Sequence, residues 1–124
     1  MKRLFILFAS LCIVTGLMFS CKKKTDAAKT GSATFSSASN PSLTYCTFTV
    51  TVNGQTGTFT QASNQAPACG TVSSDCAVFS LPVGTYTFTI TGYDGSHNYS
   101  YHGPNSVTVT DNGCSSVRAT YNDW

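Results

Sequence analysis

The stretch LTYCTFTVTVNGQTGTF, residues 43–59, decides the fold class. Cys46, Phe48, Val50 and Val52 fall on one side of an extended chain and Thr47, Thr49 and Thr51 on the other, the period of a strand with one dry face. Asn53-Gly54 then supplies the short turn whose two central residues need positive φ. A two-residue loop sets Val52 opposite Gln55, Val50 opposite Gly57 and Phe48 opposite Phe59, so two phenylalanines meet on the dry face.

The same alternation continues downstream. CAVFSLPVGTYTFTIT holds two more strands around the turn Pro82-Val83-Gly84, with Tyr86, Phe88 and Ile90 alternating with threonines. Tyr93-Asp94-Gly95-Ser96 reads as the next turn, before a short strand near Asn98 to Tyr101. SVTVT and SSVRATY flank Asp111-Asn112-Gly113. If those three residues form a hairpin loop, Val107 opposes Val117 and Val109 opposes Ser115, and a glycine bulge brings Cys114 into phase. About seven short strands and no helical period predict an all-β chain, a β-sandwich of immunoglobulin-like or transthyretin-like design over residues 43–124.

Composition agrees. The chain has 124 residues and no Glu, with charged residues at 10%. The formal charge of +2 is a balance, with +5 carried by the first 29 residues. From Phe35 onward one cation, Arg118, stands against Asp75, Asp94, Asp111 and Asp123, a net of −3. A nucleic-acid role needs a basic face on the folded part, so that class is set aside.

Upstream of the strands, Met1-Lys2-Arg3 is followed by Leu4 to Phe19, sixteen residues without a charge. This is an export signal by charge and length, and it is shorter than the roughly 20 apolar residues a spanning helix needs. Leu17-Met18-Phe19-Ser20-Cys21 resembles the lipobox of bacterial lipoprotein signal peptides, with Ser20 as the small residue before the cut and Phe19 the one departure. The resemblance implies a signal peptide over 1–20, lipidation at Cys21 and attachment to a membrane of the bacterial cell envelope. Lys22 stands where that family's inner-membrane retention signal has Asp, which implies the outer membrane. Residues 21–42 then read as the lipidated cysteine and a flexible tether, small and polar apart from Phe35, which is alternatively the start of an edge strand.

FSLPVGTYTFTITGYDG, residues 79–95, resembles the strand-turn-strand of carboxypeptidase regulatory-like domains and collagen-adhesin B-type repeats. The resemblance implies a noncatalytic accessory or binding module. The isopeptide bond of such adhesins needs a lysine, and none lies beyond Lys29.

Removing the leader and lipidating Cys21 leaves four cysteines in an exported compartment. Of the three pairings, Cys69 with Cys76 closes a short segment and Cys46 with Cys114 joins the first long strand to the last. A zinc site is disfavoured, because six residues separate Cys69 from Cys76 where ligand pairs are usually closer.

His97, His102, Asp94 and Ser100 contain the ingredients of a triad, yet they lie within nine residues of one hairpin-like stretch, where a cleft with an oxyanion site is not expected. No catalytic role, cofactor or metal is assigned. Tyr93, Tyr99 and Tyr101, with His97, Asn98 and His102, form instead a candidate patch for stacking on a sugar ring. The ordinary reading has Tyr99 and Tyr101 packing inward, and Trp124 either extends the patch or caps the last strand. The function expected is a membrane-anchored envelope lipoprotein carrying a noncatalytic β-sandwich for binding or interaction, with a glycan as its candidate ligand. The alternative is a structural or protein-docking module with no small ligand.

Overall fold

The computed structural model describes residues 26–124 apart from Thr44 and Gln61. The leader, Cys12, Cys21 and the lysine run lie outside them. Two antiparallel-rich sheets form a sandwich of eight strands: β1 Thr30–Ser37, β2 Thr47–Val52, β3 Gln55–Phe59, β4 Cys76–Pro82, β5 Gly84–Tyr93, β6 Asn98–Ser100, β7 Ser106–Val109 and β8 Cys114–Ala119. One sheet has the order β4-β1-β8. The other runs β3-β2-β5-β6, with β7 also on β5.

The β2–β3 hairpin has the register its turn demands, with Phe48 opposite Phe59, Val50 opposite Gly57 and Val52 opposite Gln55. Asn53 and Gly54 carry φ of 49° and 71°, a conformation that costs glycine little and that asparagine tolerates. The two phenylalanine rings stack at 4.7 Å.

The tether expected over 21–42 is corrected by β1. Residues 30–37 form a strand that is central, not an edge, antiparallel to β4 and parallel to β8. Ala33 and Phe35 are fully buried between the sheets, and the Phe35 ring meets Phe79 at 5.6 Å and Phe88 at 4.9 Å. Such edge-on aromatic contacts add about 0.5–1.5 kcal/mol each beyond area burial. The other side of β1 is covered as well. Thr34 and Ser36 are buried beneath the 60–75 segment, and the Gly70 N–H donates to Thr34 Oγ1 at 2.8 Å. A strand covered on both faces shows no polar-out alternation, and its small hydroxyl residues imitate linker composition. The domain therefore begins near Thr30 rather than at Leu43.

The β7–β8 hairpin does not form. β7 pairs with β5, Val107 facing Tyr86 and Val109 facing Gly84, while β8 pairs with β1. The Asp111-Asn112-Gly113 corner carries the chain from one sheet to the other. It is pinned there because Asn112 N–H donates to the Thr30 carbonyl and Ser32 N–H to that of Gly113, each at 2.8 Å. Gly31 is required at this crossing, since a Cβ would lie 2.8 Å from the Gly113 carbonyl oxygen and closer still to that of Thr110.

Both expected disulfides are replaced by one, Cys69–Cys114. Cys46, buried just before β2 in the five-stranded sheet, keeps a free thiol, because Cys114 at the start of β8 is bonded to Cys69. Cys76 pairs with Ser36 on β1 and donates its thiol proton to the Thr71 carbonyl at 3.2 Å. The 60–75 segment thus lays Cys69 across β1 toward β8 instead of folding it onto Cys76. Arg118, the domain's lone cation after Phe35, donates to the Ser63 carbonyl and holds the same segment. Burial, then the Asp94 carboxylate, pushes the free Cys46 thiol up, which keeps it protonated and unreactive.

Candidate functional site

Alternation along β2, β3, β5, β6 and β7 turns one face of the larger sheet outward. Pairing aligns Thr58, Thr49, Thr91 and Ser100 in one row and Thr56, Thr51 and Thr89 in the next. Thr51 and Thr56 hydroxyls lie 3.4 Å apart, and those of Thr85 and Thr108 lie 3.0 Å apart. At the end of this face Thr47, Tyr93 and Asn98 form a third row.

The six residues of the expected patch divide between two faces. Tyr93, 49% exposed, points outward beside exposed Asn98. Its hydroxyl donates to the Gly95 carbonyl at 2.8 Å, which fixes the ring over the turn. His97 is exposed in that turn with Nδ1 3.5 Å from Asp94 Oδ2. Tyr99, one residue along β6 from Asn98, projects to the opposite face and packs against the core, its hydroxyl donating to Asp94 Oδ2 at 2.8 Å. Tyr101 also turns inward, 5.9 Å from the Phe88 ring and 6.0 Å from Trp124. His102 is exposed, and its backbone N–H donates to the Asp123 carbonyl at 2.7 Å.

Asp94 organises this loop. Backbone N–H groups of His97 and Ser96, at 2.6 and 2.8 Å, hold its carboxyl down at about 2, with Tyr99 contributing further. A carboxylate engaged by three donors favours its charged form and is committed to holding the loop rather than moving protons. Tyr99 is raised, first by its bond to Asp94, and Tyr101 is raised by burial and then by Asp123. Asp94 and His97 thus form a loop clasp. Among the described residues no group of three or more His, Cys, Asp or Glu converges as a metal site.

Behind β6 the inward tyrosine borders a second surface. The Asp123 carboxylate accepts from Thr120 N–H and Oγ1 at 2.7 and 2.8 Å, closing a 3-10 turn over Tyr121–Asp123. That turn returns Trp124 to the core, 5.3 Å from Phe48. Asn40, Leu43, Tyr99, Tyr121 and Trp124 line a cleft of about 200 Å³ there. Sequence reasoning missed Asn40 and Tyr121. The T-x-x-D spacing of Thr120 and Asp123, a capping-box pattern, was the available signal that the chain end folds back. Comparison with known proteins finds no family model, no curated protein and no solved structure that matches this chain.

Proposed function

We propose that this chain is an exported lipoprotein, anchored through Cys21 to the cell envelope and probing its surroundings with a noncatalytic β-sandwich that binds neutral glycan. The leader and the residues before Cys21 support the anchor, and Lys22 supports the outer membrane. Two or more acyl chains hold such an anchor stably where one holds it marginally. With β1 in the domain, the stretch between Cys21 and Thr30 is short, so the sandwich stays close to the lipid surface.

The observation that carries the binding role is Tyr93, held outward by its bond to Gly95 in a row of uncharged side chains, Thr47 and Asn98. A fixed aromatic face beside amide and hydroxyl groups suits the C–H face and hydroxyls of a sugar. The second reading is a module that docks an envelope protein and takes no small ligand. The rows of outward threonines favour it, because they offer hydroxyls across three strands.

A glycan array read with wild-type protein and with Tyr93→Ala separates the two. Binding that the substitution removes supports the glycan reading, and a blank array sinks it. Mass spectrometry of the mature N-terminus tests the anchor, and an unmodified Cys21 inside an intact leader overturns it.

A further inference from the structure

The cleft behind β6 differs from the outer face in one respect that points to a ligand. Trp124 Nε1 is buried and has no hydrogen-bond partner among the described residues. A buried donor left unmatched is destabilising, and an acceptor placed against it would offset that cost. The other walls are aromatic or neutral: Tyr99, Tyr121, Leu43 and the Asn40 amide, with no acidic or basic side chain. Tyr99 donates its hydroxyl proton to Asp94, so its oxygen presents lone pairs to a neighbouring donor. Tyr121, 65% exposed, lines the same cleft as the indole.

We propose that this cleft seats one ring of a neutral sugar, with its C–H face against Tyr121 and Trp124 and one of its oxygens accepting from the indole N–H. The uncharged lining selects against anionic sugars, whose carboxylate or phosphate would be desolvated without a partner. Rotation of Tyr121 admits the ring and uncovers Nε1. The inference takes its ligand class from the glycan reading above but assigns a different seat, on the opposite side of β6 from Tyr93.

Trp124 is the chain's one tryptophan, so a single indole ¹H–¹⁵N resonance reports on the cleft alone. The full mature protein is titrated to about 10 mM, the range where weak single-ring binding becomes visible, with methyl glycosides of glucose, galactose, mannose and N-acetylglucosamine. We expect the indole resonance of wild type and of Tyr93→Ala to move saturably with at least one sugar. Trp124→Phe, which keeps a ring but removes both the donor and the reporter, is followed instead by saturation transfer from protein to sugar, and should weaken binding about 5- to 10-fold, as expected for one lost hydrogen bond. Tyr121→Ala, altering an exposed ring, should weaken it too and keeps the test open if Trp124→Phe is unstable. An indole resonance that stays still while the array shows Tyr93-dependent binding overturns the cleft and leaves the glycan reading standing. A still resonance together with a blank array overturns both.

Discussion

The β2–β3 hairpin and strand β1 each bury phenylalanine in the same core, but they find their partners at very different distances along the chain. In the hairpin, Phe48 and Phe59 are brought together by a turn of two residues, and every pairing is local. In β1, Phe35 meets Phe79 and Phe88, and the strand's neighbours are β4 and β8. A parallel neighbour such as β8 can be reached only by a long crossover, here most of the domain. Local pairing needs only its turn chemistry and a dry face, whereas β1 needs the rest of the sandwich in place before its own burial stabilises anything.

That contrast can be broken at several points. The largest effect is expected at Phe35: Phe35→Ala should lower the free energy of unfolding by about 3–5 kcal/mol, the range for emptying a buried phenylalanine site. Urea denaturation measures it, and a loss below 1 kcal/mol would return residues 30–37 to the role of a tether. Next comes the Cys69–Cys114 bridge, which ties the segment covering β1 to β8. Its removal by Cys69→Ser should cost about 2–4 kcal/mol. It should also speed amide exchange in β1 more than in the hairpin, and the reverse order would mean that the bridge supports a different element. Peptide mapping without reductant should return Cys69 and Cys114 in one linked fragment, with Cys46 and Cys76 alkylated only after unfolding.

The hairpin should respond more mildly. Gly54 has φ of 71° and open space around its Cα, so Gly54→Ala carries only backbone strain, about 1 kcal/mol. A penalty equal to that of Phe35→Ala would erase the difference between local and long-range pairing. The smallest effect is the acid response of the Asp94 loop. Its folded value of about 2 lies below the ordinary carboxylate value near 4, so its contribution is present above about pH 4 and is lost as the pH falls through about 2. Wild type should lose stability faster than Asp94→Asn across that window, and parallel curves would show that the three donors do not favour the charged carboxylate.

The candidate site was legible in the same uneven way. Tyr93, Asn98 and His97 are exposed as their turn and strand pattern suggested. Tyr99 and Tyr101 follow the strand's alternation inward, where the ordinary rule of two-residue periodicity places them. Asn40 carried no readable signal and Tyr121 only the turn spacing of Thr120 and Asp123, because each reaches the cleft through a turn whose direction depends on the elements it packs against.

By itself the sequence determined the strands after Leu43, the hairpin register and the outward rows of threonine, because alternation of period two and an Asn-Gly turn act over a few residues. Only the tertiary structure decided that residues 30–37 are a central strand, that Cys69 bonds to Cys114 and that β7 and β8 part to opposite sheets. The physical reason is common to all three. Each depends on which distant edge is open to receive a segment, and small polar residues such as Ser32, Thr34 and Ser36 take their place in a sheet by what covers them rather than by any pattern of their own.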